Sequence, residues 1–277
     1  MRGEGAEGSG PVPQASPGVA AAAAGAPAPG PRLRWWREVL YVLAFYGVYT
    51  LIRNQGVASD SSREAFRHAK QVIGLQRLLG IYHEETIQDW FLPWRWFISF
   101  WNVFYGTAHF VVTVAVLVYL FKRMSERYPL WRNTLACTTA LALLGFAFYP
   151  LMPPRLLPPG YGFVDTLRVV GGLWSFESGA VAKVSNQYAA MPSLHFAWSS
   201  WCTLVLAPAL RSRWSRAAVV AYPFLTLFAI VVTANHFVLD AVGGAAVLGV
   251  GHAVARPLTR WLDARGAQPT PAPEPVA

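Results

Sequence analysis

The chain has 277 residues, of which 54% are hydrophobic and 13% are charged. A soluble domain usually carries about 25% charged residues, so this composition argues against a soluble protein and indicates lipid as the solvent. The formal net charge is +9, but the Lys and Arg residues stand in clusters beside apolar runs, which favours a membrane over nucleic acid as the partner.

Both ends of the chain are predicted to be disordered tails. Gly, Ala and Pro occupy 22 of the first 31 positions, and such a composition has almost nothing to bury. Residues 261–277 are predicted to form the second tail. Residues 32–260 between them are predicted to form one membrane-embedded domain.

Six apolar segments in this domain are predicted to cross the membrane as helices, since each has about the 17–25 residues that a bilayer core requires. The segments are 35–53, 96–121, 134–152, 190–210, 217–235 and 237–256. The predicted fold is therefore all-α, a polytopic bundle of six transmembrane helices. Cys137 and Cys202 lie inside apolar runs and are predicted to be packing residues.

The first long loop, 54–95, carries a helical stripe of apolar residues. Its members are Ala65, Ala69, Val72, Ile73, Leu75, Leu78 and Leu79. Two interpretations fit this stripe: an amphipathic helix that lies in the membrane interface, or a helix that caps the bundle. The fold prediction includes the interfacial helix.

The charges of the loops predict the orientation. Loops 122–133 and 211–216 are rich in Lys and Arg, whereas loops 54–95 and 153–189 are longer and much less basic. By the positive-inside rule, both termini face the cytoplasm and the two long loops face outward.

An acid inside a membrane span is costly and therefore a candidate functional residue. Asp240 follows His236 by four residues in "NHFVLDAVGG", and a helix would bring both side chains to one face. The carboxylate could orient one imidazole nitrogen and leave the other as a nucleophile. A structural His–Asp pair that ties helices together is the alternative.

Two further residues are predicted at the same outer face, His195 in "MPSLHFAWSS" and Arg155 in "YPLMPPRLLPPGYG". Ser193 and the free amides of the helix that begins there form an anion site that favours phosphate. Arg155 offers a planar fork to two phosphate oxygens. His236 could then attack phosphorus while His195 protonates the leaving oxygen.

The segments "PPRL", "MPSLH" and "NHFVLD" resemble the three signature motifs of the type 2 phosphatidic acid phosphatase superfamily. They look closest to its branch with fungal inositol phosphorylceramide synthases and actinobacterial membrane proteins, over roughly residues 35–256. The resemblance implies a six-helix core, a lipid substrate, a bacterial plasma membrane, and neither a metal nor another cofactor. It also implies these roles: His236 as the phosphohistidine, His195 as the general acid, Asp240 as the orienting carboxylate, and Arg155 and Ser193 as phosphate binders.

The chain departs from the family pattern at three positions. Phe148 stands where the family has a lysine, Leu194 where it has a glycine, and Ile230 where it has an arginine. Two phosphate-binding cations are therefore missing, which favours a transferase that handles phosphodiesters over a phosphatase for monoesters. Lys183 could replace one charge, although a loop lysine is usually solvated.

Four functions stay open from the sequence. The first is a lipid phosphotransferase, and the second is a lipid or polyprenyl phosphate phosphatase with water as acceptor. The third is a zinc-dependent membrane hydrolase with His195, His236 and Asp240 as ligands, which the nearby Arg155 opposes. The fourth is a scaffold without catalytic activity.

One more histidine is predicted to be structural. Asn102, Tyr105 and His109 share a face of the second span. His109 lies 13 residues into that span, hence about 20 Å deep at 1.5 Å per residue. We therefore expect a core histidine, bonded to Tyr105 and far from the proposed site, in preference to a catalytic one.

Overall fold

The computed structural model describes residues 34–54, 60–171 and 187–266, and helices dominate these ranges. The α-helices in them are α1 (Trp35–Asn54), α2 (Asp60–Leu78), α3 (Glu84–Phe91), α4 (Arg95–Arg123), α5 (Tyr128–Phe148), α6 (Thr166–Val169), α7 (Leu194–Leu206), α8 (Arg213–Val232) and α9 (Val238–Gly266). No strand occurs in the described ranges, where an isolated bridge pairs Leu151 with Ala189. The predicted all-α class is confirmed.

Three helices of the described chain, α4, α8 and α9, are long and apolar enough to cross a bilayer, and their length and composition indicate a membrane protein. Helices also occupy the other three predicted spans, but α1, α5 and α7 fall short in length or hydropathy. The helix α7 has 13 residues, about 20 Å, against a bilayer core of about 30 Å. Six spans therefore stay a prediction.

The ends of the predicted domain are only partly covered by the description. Residues 1–31 and Lys183 lie outside the described residues. The helix α9 continues to Gly266, ten residues beyond the predicted end of the last span at position 256. The predicted tail that begins at 261 therefore starts inside this helix.

The antiparallel helices α5 and α9 pack closely because small and polar residues meet between them. A Cβ on Gly251 would lie 2.8 Å from the backbone nitrogen of Thr138, so the two backbones touch where no side chain intervenes. Further along, Asn133 Nδ2 donates to Thr259 Oγ1 at 2.9 Å. This contact holds α9 in register beside α5.

The helices α2 and α3 fill the first long loop and pack on the bundle. Four members of the predicted stripe are buried, and three are exposed; the buried ones are Ala65, Ala69, Val72 and Ile73, and the exposed ones are Leu75, Leu78 and Leu79. The buried members contact Leu151, Leu157 and Phe237 in one core cluster. This half of the stripe behaves as the capping interpretation expects, and an interfacial position for the exposed half stays a prediction.

Candidate active site

The turn between α8 and α9 presents the first histidine. Ala234 adopts a left-handed backbone conformation, with φ of 53°, and Asn235 Nδ2 donates to Thr233 Oγ1 at 2.8 Å to close the turn. The backbone nitrogen of Arg155 donates to the carbonyl oxygen of Ala234 at 2.8 Å. The proline-rich segment is thereby joined to the turn that carries His236.

His236 and Asp240 make the contact that their spacing predicts. The Nδ1 atom of His236 lies 3.2 Å from Oδ2 of Asp240, and both residues are buried. The helix begins only at Val238. His236 therefore lies on the turn before the helix, whereas the sequence prediction placed both residues on one helix. The contact survives because Asp240 also accepts from the backbone nitrogen of Phe237 at 2.9 Å, which folds the turn onto the carboxylate.

The start of α7 is bonded to the same helix. The backbone nitrogen of Ser193 donates to the carbonyl oxygen of Asp240 at 2.9 Å. The Ser193 hydroxyl accepts from the backbone nitrogen of Phe196 at 3.4 Å, so it caps α7. Ser193 is fully buried, and its hydroxyl is already engaged with the helix that it starts.

Two glycines make room for this arrangement. A Cβ on Gly145 of α5 would meet the ring of Pro192, and a Cβ on Gly244 of α9 would overlap the carbonyl oxygen of Ser193. The segment that precedes His195 therefore lies against two helix backbones, which fixes where that histidine enters the site.

The His195 ring lies among three other rings. Its centroid is 5.4 Å from that of His236 and 4.3 Å from that of Tyr105, against which it stacks at an interplanar angle of 19°. The His109 ring is closer still, with its centroid 4.1 Å away. The described chain thus brings three histidines into one cluster.

The prediction that His109 lies far from the proposed site is wrong. Its depth along α4 is about as expected, but α7 is much shorter than the 29-residue α4 and begins beside the middle of it. His195 is therefore recessed to the level of His109. The expected bond to Tyr105 exists, since His109 Nδ1 donates to the backbone oxygen of Tyr105 at 3.0 Å.

Asn102, on the same face of α4, also reaches the segments around the site. Its Nδ2 donates to the carbonyl oxygens of Thr166 at 3.0 Å and Gly171 at 2.8 Å. The Thr166 hydroxyl donates back to Asn102 Oδ1 at 2.9 Å and contacts the carbonyl oxygen of Thr233 at 3.2 Å. This face of α4 is one wall of the site.

Arg155 is paired with an acid that sequence reasoning missed. Its Nη1 donates to Oδ2 of Asp165 at 2.9 Å, and both side chains are largely buried. Arg155 Nε and Asp165 Oδ1 are buried atoms without a hydrogen-bond partner among the described residues. Ten residues separate the two, and no motif spacing links them. One sequence feature could have pointed to Asp165 as the partner of Arg155: loop 153–189 holds only one other acid, Glu177.

The two positions at which the family pattern has a cation carry apolar side chains in this chain. Phe148 is exposed at the end of α5, whereas Ile230 is fully buried in α8. Neither position therefore adds a positive charge to that of Arg155, whose side chain is paired with Asp165.

The zinc interpretation requires three ligands that converge on one point. Within the described ranges, no group of three His, Cys, Asp or Glu side chains is arranged to hold a metal ion, and His195, His236 and Asp240 are not such a group.

A family model described as the PAP2 superfamily matches residues 70–254, more than half of the chain. Neither the curated proteins nor the solved structures contain a significant match. The matched range begins within α2 and ends within α9, so it contains every residue of the site described above.

Proposed function

The chain belongs to the PAP2 superfamily, the family that its three motifs resemble, and on that premise we propose that it transfers or hydrolyses the phosphorylated head group of a membrane lipid. Membership indicates a phosphatase or phosphotransferase that acts on phosphorylated substrates. The observation that carries the proposal is the His236–Asp240 pair beside His195, contributed by two separate segments.

The chemistry that we propose has two steps. His236 attacks phosphorus through Nε2, because Nδ1 faces Asp240; the N–P bond forms as the P–O bond to the leaving group breaks. His195 gives its proton to the leaving oxygen. An acceptor hydroxyl then attacks the phosphohistidine, the N–P bond breaks, and the hydroxyl proton passes to His195. Asp240 orients His236 and stabilises its positive charge, as in a catalytic triad.

Phosphate binding is assigned to Arg155 and to the start of α7. The free amides of the first turn of α7 favour an anion, and Ser193 supports them as the cap of that turn. Arg155 keeps donors beyond the one that Asp165 occupies. One arginine that is already paired with a carboxylate suits a singly charged phosphodiester better than a doubly charged monoester. This charge balance favours the transferase, of the inositolphosphotransferase type, over a lipid or polyprenyl phosphate phosphatase.

The test uses purified protein in detergent with a chelator present. Lipids labelled at phosphorus are offered together with a diacylglycerol or ceramide acceptor. Label that enters a new lipid supports the transferase, and label released as inorganic phosphate supports the phosphatase. If label moves only after zinc is returned, the zinc-dependent mechanism replaces the phosphohistidine mechanism. If no label moves under any condition, the interpretation as a scaffold without catalytic activity is supported instead.

We also propose that the site opens to the outside of a bacterial plasma membrane, with both termini in the cytoplasm. A cysteine introduced as Gly160→Cys tests this orientation, since position 160 is exposed and a Cβ there meets no atom within 4 Å. An impermeant maleimide added to intact cells should label this variant. Labelling only after the cells are opened would show that position 160 faces the cytoplasm, opposite to the proposed orientation.

The third histidine should matter for turnover. Exchange of His109→Gln removes the ring that packs on His195 while it keeps a side chain able to donate to the Tyr105 carbonyl. We expect turnover to fall about 10- to 100-fold, because a general acid must be held in its productive geometry. The measurement is turnover in the labelled-lipid assay.

His252→Gln is the matched control. His252 also stacks on an aromatic ring, that of Trp131 at 5.1 Å, and lies within 3.1 Å of the Thr134 hydroxyl, but it contacts none of the site histidines. We expect this variant to keep its turnover within about twofold. Equal losses in both variants would make His109 a packing residue.

A further inference from the structure

Three polar side chains of α2 and α3 are fully buried, namely Gln76, Glu84 and Gln88. Burial of a carboxylate is costly unless hydrogen bonds replace its hydration. The sequence presents these residues as the polar side of an outer loop, where solvent would be their partner. Their actual partners are backbone groups of the segments that form the site.

Glu84 and Gln76 bind the first turn of α9. Glu84 Oε1 accepts from the backbone nitrogen of Val238 at 2.9 Å, and Gln76 Oε1 accepts from that of Leu239 at 3.0 Å. Gln76 Nε2 donates to Glu84 Oε1, which joins the two side chains. The other oxygen of Glu84 accepts from the backbone nitrogen of His83 at 3.1 Å. We call this pair the Gln76–Glu84 clamp.

The clamp completes a row of three satisfied amides. Asp240 already accepts from the backbone nitrogen of Phe237, so residues 237, 238 and 239 all donate to side chains. A helix start that carries free amides attracts anions, but this one is filled by carboxylate and amide oxygens of the chain itself. The start of α9 therefore serves as a fixed support for His236 and does not receive phosphate.

Gln88 extends the same support to the arginine side of the site. It donates to the carbonyl oxygen of Val164 at 3.0 Å and accepts from the backbone nitrogen of that residue at 2.9 Å. Val164 directly precedes Asp165, the partner of Arg155. The outer segment α2–α3 thus holds both halves of the site through buried polar contacts.

We propose that Glu84 is a positioning residue for His236 and Asp240, acting through the Gln76–Glu84 clamp. The inference rests on the proposed function, because it assigns Glu84 a part in turnover by the phosphohistidine route. His236 and Asp240 flank the clamped amides in sequence. A shift of that turn by about 1 Å therefore misaligns the nucleophile, which can cost about 100-fold in rate.

The main variant is Glu84→Gln, which keeps an oxygen for Val238 but turns an NH₂ group toward the His83 amide, so that one buried donor must lose its partner. Asp89→Asn is its matched control, because Asp89 is an exposed acid on the same helix α3. We expect kcat of Glu84→Gln to fall at least 10-fold with KM within about threefold, and Asp89→Asn to match the wild type.

A second readout reports on the clamp directly. Hydrogen exchange of the Val238 and Leu239 amides, followed by mass spectrometry in detergent, should be at least 10-fold faster in Glu84→Gln and unchanged in Asp89→Asn. A merely structural role would lower kcat only in proportion to the unfolded fraction, which thermal unfolding of the same samples measures. Unchanged kcat and exchange, or a loss that tracks unfolding, would overturn the proposal.

Gln76→Asn covers the case in which Glu84→Gln does not fold. It keeps the Glu84 charge and withdraws the amide from Leu239 by one methylene, with the same expected loss of kcat. If neither variant folds, Glu84 is a folding residue and the positioning role is wrong. If the wild type moves no label from any lipid, the proposed function fails instead, and the exchange measurement still decides whether the clamp holds α9.

Discussion

Replacement of His236 by alanine is expected to lower turnover at least about 10⁴-fold, because loss of a catalytic nucleophile removes the covalent route altogether. The exchange Asp240→Asn should cost about 10²- to 10⁴-fold, since the nucleophile survives but loses its orientation and its negative partner. Both variants are measured with labelled lipid in the presence of a chelator. The phosphorylated enzyme itself, trapped by rapid acid-free quenching, should disappear in His236→Ala.

His68→Ala is the control for this prediction. His68 is also a buried histidine; its ring stacks on Tyr149 at 4.0 Å, and its Nδ1 lies 2.8 Å from the carbonyl oxygen of Pro150. Its loss creates a similar cavity outside the histidine cluster, and we expect turnover within about threefold of the wild type. Measurable labelled intermediate in His236→Ala would rule out His236 as the nucleophile.

The exchange Gly244→Ala is expected to have the second largest effect. A Cβ there would overlap the backbone carbonyl oxygen of Ser193 and come within 3.4 Å of the backbone nitrogen of Ala197. Backbone atoms cannot rotate aside as a side chain can, so α7 and α9 must separate. Such overpacking costs about 1–3 kcal/mol in the free energy of unfolding, and the displaced His195 should lower turnover about 100-fold or more.

Gly249→Ala provides the matched comparison on the same helix. A Cβ at position 249 meets no atom within 4 Å, and alanine favours a helix over glycine by about 1 kcal/mol. This variant should unfold at the same temperature as the wild type or a higher one, with turnover unchanged. Wild-type behaviour of Gly244→Ala would show that α7 and α9 do not pack as closely as the structure has them.

The interpretation of the first long loop, 54–95, changed most when packing was considered. Ala65 and Val72 were predicted to lie on an apolar face, and they do, but amphipathic periodicity is the same for a helix on lipid and a helix on protein. The partner of that face depends on where the Leu151 and Phe237 segments fold. Glu84 illustrates the same limit, because an acid in a polar loop predicts exposure and its backbone partner lies 154 residues away.

The histidine cluster was half predictable. His236 and Asp240 were linked by a spacing of four, a local relation that holds even though His236 precedes the helix. His109 was missed because its depth was counted along one helix and compared with a face of the membrane. Only the short length of α7, which begins beside the middle of α4, brings His195 down to it.

The sequence by itself determined the membrane environment, the helical class, the family and the motif residues, because composition, hydropathy and short spacings are local properties of a chain. Tertiary structure alone decided three contacts: the ion pair between Asp165 and Arg155, the packing of the His109 ring on the His195 ring, and the hydrogen bond from the turn beside His236 to Glu84. Those contacts join segments far apart in sequence or depend on the depth at which a helix begins. Many of the partners are backbone amides and carbonyl oxygens, which are present in nearly every residue. The pattern of side chains along the chain therefore does not predict these contacts.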